Sequence, residues 1–195
     1  MPRLTALLAL LLLLGQGPAG SAQASRYQTR TGTVSFFSAS PIEDIEARSQ
    51  QLAAVLDAAT GQLAFSVPIR SFQFKRTLMQ EHFNENYLES EKYPKATFSG
   101  RLLEWKSEAL TAGSGAVPVV AEGDLTMHGV TRHLKVPGTL TPLTGQLLLN
   151  ASFYVAPADY KIDIPALVRD HIAKNVLVTV RLACTPPMGA TASQP

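Results

Sequence analysis

Four histidines and one cysteine are the side chains of this sequence best fitted to hold a metal or attack a substrate, and their placement supports neither. His82, His128, His133 and His171 share no close ligand spacing with one another or with Cys184, whereas metal sites read from sequence depend on short His/Cys intervals. No G-x-S-x-G elbow, glycine-rich phosphate loop or cluster of catalytic carboxylates occurs, so acyl and phosphoryl transfer lack their machinery. The sequence therefore predicts no catalytic residue, no metal and no required cofactor. What it does concentrate is aromatic surface. The stretch "HFNENYLESEKYPKATFSG" (82–100) carries Phe83, Tyr87, Tyr93 and Phe98 in a chain only 7% aromatic. Rings of this kind supply large apolar contact areas, and tyrosines add a hydroxyl at the wet edge.

The segments around these rings define what must position them. Arg3, the apolar run 4–14 and the small-residue stretch ending Ala22-Gln23-Ala24 have the order of a secretory signal peptide, with an apolar core too short to span a bilayer. The mature chain is expected to begin at Ser25, in the periplasm or outside the cell. Removing 24 residues from 195 leaves 171, enough for one domain with a sizeable core. Only one base is lost, so 16 bases face 15 acids. That balance is no footprint for nucleic acid. No apolar run capable of stable membrane insertion follows the signal. A single cysteine in an exported chain closes no internal disulfide, so Cys184 is expected to be a buried, inert thiol.

The mature chain is dominated by period two. "TGTVSFFS" (31–38), "GQLAFSVPI" (61–69), "KATFSGRLLEW" (95–105), "VPVVAEGDLTM" (117–127), "VTRHLKVPGTL" (130–140), "GQLLLNASFYV" (145–155) and "NVLVTVRLAC" (175–184) alternate apolar with polar or small residues. Short strands are also expected near 42–47 and 51–57. Eight or nine closely spaced strands predict a mainly β, antiparallel sandwich or barrel. "TMHGVT" places His128-Gly129 where a type I′ hairpin turn belongs, a role that accounts for His128 without chemistry. Across 75–90, "KRTLMQEHFNENYLES" puts Leu78, Met79, His82, Phe83 and Tyr87 at helical spacing, and Tyr93-Pro94 ends the helix. A second short helical turn is expected near 165–170, where Pro165 suits a first helical position. Residues 185–195 read as a mobile tail.

Each long strand has one dry face. If the sheet closes, those faces meet, and an eight-stranded interior is just wide enough to be filled by side chains or to hold one slender ligand. Ala96, Ala121, Gly123 and Ala151 mix with Phe36, Phe65, Phe98 and Phe153 on the inward side. Such alternation suits both a packed and a hollow interior.

The run 82–100, followed by "GDLTMHGVTRHLKVPGTL" (123–140), resembles the YceI-like family of exported bacterial polyisoprenoid-binding proteins. Their helix ends in a phrase of the type "yl.s.kyP.a.F.g" and is followed by a "G.Lt.hGvt" hairpin. The resemblance extends from about Gln28 to Cys184. It implies a lipocalin-like, extended antiparallel barrel of about eight strands, capped by the 75–90 helix and holding an amphiphilic lipid such as a polyprenyl chain or an isoprenoid quinone. Contacts to the ligand are then expected from Phe36, Phe65, Val67, Leu78, Phe83, Tyr87, Phe98, Leu125, Met127, Leu134, Leu149, Phe153 and Val178, with Tyr87 and Tyr93 offering hydroxyls to a head group. "VRDHIAKN" (168–175) lies near the expected rim, where Arg169 or Lys174 could meet an acidic head group. A homodimer is compatible with this reading. The competing reading is a packed barrel that works through its outer surface as a structural or interaction module.

Overall fold

The computed structural model describes residues 26–111 and 113–187. The alternating segments form nine antiparallel strands: β1 (Arg26–Ser38), β2 (Ile45–Asp57), β3 (Gln62–Pro68), β4 (Gln73–Phe74), β5 (Lys95–Leu102), β6 (Val117–Met127), β7 (Val130–Leu143), β8 (Gln146–Val155) and β9 (Val176–Cys184). Apart from β4 they follow one another around the sheet in chain order, and β1 pairs with both β2 and β9. Eight strands thus close into a barrel, which removes the free edges an open sheet would expose.

β4 is β3 resumed. After Pro68 a 3₁₀ turn, Ile69–Ser71, steps into the interior, and Gln73 and Phe74 then pair with Arg48 and Ala47 farther along β2. The step buries hydroxyls without orphaning them: Ser71 donates to the Pro68 carbonyl at 2.6 Å, and its Oγ lies 2.6 Å from that of Ser49.

The two short strands expected at 42–47 and 51–57 are one continuous strand, β2, which begins only at Ile45. The apparent break has a geometric cause. Gly32 pairs with Leu52 but Val34 pairs with Ser49, so β2 carries an extra residue at 50–51, while β1 carries one between Thr29 and Gly32. A bulge shifts the phase of alternation by one residue. The buried positions of β2 accordingly run Ala47 and Ser49 before the bulge, then Leu52, Ala54 and Leu56 after it. Period two is lost across the bulge alone.

The lid is shorter and less regular than its sequence pattern. α1 (Thr77–His82) continues as a π-helical turn, Phe83–Tyr87, in which the Leu88 N–H donates to the Phe83 carbonyl at 2.9 Å. The short turn near 165–170 is a 3₁₀ turn, Ala166–His171, directly after Pro165. His128 and Gly129 take φ of 51° and 72°, the left-handed pair that a type I′ turn between β6 and β7 requires. The expected signal peptide, 1–24, and residues 188–195 of the expected tail lie outside the described residues. Thr185, where that tail was expected to start, pairs with Gln28.

Candidate ligand-binding cavity

The two ends of the barrel are built differently. At the end carrying the turns 58–61 and 144–145 and the connection after β5, Leu56, Leu63, Leu102, Leu140, Leu147, Leu182 and Cys184 are all buried and meet as one apolar floor. Trp105 packs over Gly61 and donates its indole N–H to the Ala58 carbonyl at 2.8 Å. Burial pushes the Cys184 thiol pKa up to about 11, as expected for an inert core thiol.

Above this floor the inward side chains stop meeting. They surround a cavity of about 440 Å³, walled by Phe65, Val67, Phe98, Leu125, Leu149, Phe153 and Val178 from the strands and by Met79, Phe83 and Tyr87 from the lid. Its depth ends at Leu63 and Leu102, the upper surface of the floor. The interior is therefore filled at one end and hollow at the other. That much apolar wall finds no partner within the protein, and the architecture makes physical sense as a receptacle for an apolar guest.

The lid rests on a four-ring cluster. Phe83 lies 5.5 Å from Phe36, 5.7 Å from Phe72 and 5.0 Å from Phe74, centroid to centroid, and Phe36 contacts Phe72 at 5.5 Å. Deeper, Phe65 stacks on Phe98 at 6.0 Å. These separations fall in the favourable range for aromatic pairs. Of the rings in 82–100, Phe83 completes an aromatic collar whose other three members come from β1 and the β3–β4 segment, while Phe98 pairs with Phe65 deeper in the barrel.

Of the residues expected at the ligand, Phe36, Phe65, Val67, Phe83, Tyr87, Phe98, Leu125, Met127, Leu149, Phe153 and Val178 line this one cavity, and Leu78 and Leu134 do not. Leu78 is 61% exposed. The π turn sets Met79, Phe83 and Tyr87 in line along the inner face, because its wider winding cancels the drift an α-helix accumulates over four residues; Leu78, about 100° away from Met79, points outward. Leu134 has inward parity but packs against the core beside Gly123. Tyr93 is not at the mouth either: its ring lies edge-on to His128 at 4.8 Å and covers Gly129. Arg169 and Lys174 are exposed and off the lining.

Several lining residues escaped the sequence pattern, among them Phe72, Phe74, Glu43, His171 and Val168. Phe72 and Phe74 have even parity, whereas Leu63, Phe65 and Val67 have odd parity; the 3₁₀ step at Ile69–Ser71 flips the phase between them. Glu43 and His171 sit in connections, where no periodicity points inward.

His128 does more than turn the chain. Its Nδ1–H donates to the Tyr160 carbonyl at 2.9 Å, and Nε2 lies 2.8 Å from Glu89 Oε2 at the end of the lid. Tyr160 is itself buried, and its hydroxyl pKa is pushed up to about 12, first by that burial and then by Asp159. The β6–β7 turn, the lid and the 156–175 connection are fastened together through this one ring. At the lid's other end Arg76 Nη1 meets Glu43 Oε1 at 2.7 Å, and Gln80 Oε1 accepts the Phe74 N–H at 3.2 Å. His133, by contrast, lies on the outer face with Asp124 at 2.8 Å, a bond that raises its pKa. Among the described residues no group of three or more His, Cys, Asp or Glu side chains could hold a metal ion.

A closed meander barrel with a packed floor, a helical lid and an apolar cavity between them defines a lipocalin-like binding architecture. The chain belongs to the YceI-like domain family, which matches residues 22–184. Among solved structures it is similar to a polyisoprenoid binding domain from Saccharophagus degradans implicated in plant cell wall breakdown (17% identity, TM-score 0.72, covering 84% of this chain and 99% of that one). BcnA of Burkholderia cenocepacia is also similar (18% identity, TM-score 0.66, 79% and 96% covered), as is the YceI protein of Campylobacter jejuni (13% identity, TM-score 0.56, 71% and 83% covered). At these identities the likeness is one of fold. No curated protein matches the chain.

Proposed function

We propose that this protein is exported from the cytoplasm and, without catalysing a reaction, carries or sequesters a long isoprenoid-type lipid, a polyprenyl chain or an isoprenoid quinone, inside its barrel. The observation that carries this reading is the one-ended apolar cavity of about 440 Å³ above a packed floor. An isoprenoid tail needs dry, methyl-rich walls and no hydrogen-bonding partners, and gains roughly 25 cal/mol per Å² of surface buried. The polyisoprenoid binding of the Saccharophagus degradans domain and the signal-like segment 1–24 support it. A packed module working only through its outer surface has no use for the hollow half of the barrel.

The test is native mass spectrometry of protein purified from a bacterial host, with organic extraction of any adduct. A co-purifying isoprenoid amphiphile is the expected result. Protein that carries no adduct and takes up no isoprenoid when incubated with one would sink the proposal. The same spectra weigh the mature chain, which on this reading begins at Ser25.

A further inference from the structure

We infer that the head group of the bound lipid is neutral or cationic, and that Glu43 is the residue that turns anionic heads away. This rests on the reading that the barrel holds an amphiphile. The floor fixes the lipid's direction. Leu63 and Leu102 close the deep end, and a polar head buried there would lose its hydration with no hydrogen bond in return. The head must lie under the lid.

The lining at that end is chemically one-sided. Among the described residues the cavity wall contains no lysine and no arginine, and Glu43 is its one carboxylate. Glu43 is held in place by its own loop: the Ser40 hydroxyl donates to the Glu43 carbonyl at 2.7 Å and accepts the Glu43 N–H at 3.0 Å. Its counter-ion is turned the other way. The Arg76 side chain is 67% exposed and that of Glu43 28%, and Arg76 lines not the cavity but a separate recess that it shares with Phe37, Glu43, Asp44, Glu46, Lys75 and Met79. A phosphate or carboxylate head would thus be desolvated beside a carboxylate with no lysine or arginine on its own side. An alcohol, a quinone carbonyl or an amine meets no such penalty. His82, His171 and the Tyr87 hydroxyl remain as hydrogen-bonding neighbours.

The experiment uses three probes with one C20 chain: geranylgeraniol, geranylgeranyl monophosphate and geranylgeranylamine. Their Kd values are read by competition with an apolar fluorescent dye on the full protein at fixed neutral pH and low salt. The alcohol and the amine are expected to bind about tenfold or more tightly than the monophosphate, a modest effect for one unit charge near a protein surface. Glu43→Gln should shrink that ratio, and Arg76→Gln, which leaves the carboxylate without its partner, should widen it. A ratio is read, so a variant with weaker overall binding still reports; if Glu43→Gln does not fold, the wild-type and Arg76→Gln ratios decide. Monophosphate binding equal to or tighter than alcohol binding overturns the inference, and a ratio indifferent to both substitutions removes it from Glu43. Binding of none of the probes overturns instead the lipid reading beneath it.

Discussion

Single side chains separate binding from support most cleanly in the lid. Phe83 touches three other rings and the cavity, so Phe83→Ala should lower stability by about 3 kcal/mol, the lower end of core phenylalanine truncations because the ring is only half-buried, and should speed lipid loss. Leu78→Ala removes an outward side chain and should stay within about 0.5 kcal/mol, with retention unchanged. Thermal unfolding and lipid off-rates on the two variants check this, and equal effects would contradict the lid geometry. Two buried acids give a pH signature. The folded pKa values of Cys184 and Tyr160 are raised from 9.0 to about 11 and from 10.0 to about 12. The folded protein keeps protons that the unfolded chain releases, so stability is full below pH 9 and declines as pH climbs through 9–11 and then 10–12. Urea midpoints from about pH 8 to about pH 11 should fall, and Cys184→Ala should flatten the first part of the decline. At this scale the sequence was readable for most residues within a strand, as for Phe98 and Leu149, with Leu134 of β7 the exception. It was not where contact depends on the lid's winding, which turns Leu78 outward, or on tertiary partners, which make His128 a fastener between Tyr160 and Glu89.

At the scale of elements, the legible part was period two and its turn punctuation, and that sufficed for β5 to β9 and for the β6–β7 hairpin. The misread parts share one cause, the loss of phase. Compensating bulges in β1 and β2 and the inward step between β3 and β4 each flip alternation, marked in the sequence by no more than Gly32 and Pro68. Glycines mark the tightest approaches. A Cβ at Gly123 would lie 2.3 Å from the Ser99 carbonyl oxygen and 2.6 Å from Gly100 Cα, all of it backbone, whereas a Cβ at Gly32 would first meet the end of the Leu182 side chain. A side chain can turn aside; two paired strands cannot without parting. Gly123→Ala should therefore cost about 2 kcal/mol or more and Gly32→Ala less, as measured by chemical denaturation. Equal costs would mean that β5 and β6 can separate freely at this pair.

For the molecule as a whole, occupancy and stability are coupled. A lipid that binds only the folded barrel, present at about a hundred times its Kd, adds roughly 2.7 kcal/mol, which for a domain of this size raises Tm by about 5–10 °C. Differential scanning calorimetry of stripped and reloaded protein measures that shift. The single Trp105 lies on the far side of the floor, outside the cavity wall, so its emission should hardly respond to loading while still reporting global unfolding. The floor of buried leucines has one more effect. Because the barrel is blind at that end, it acts as a gauge of chain length: each added methylene of tail contributes about 0.8 kcal/mol until the tip reaches Leu63 and Leu102, and every further carbon is left to bend back or stand out in water. Selectivity among homologous tails is then set by where the leucines begin, and moving that boundary by one layer would retune the protein to a longer or shorter guest.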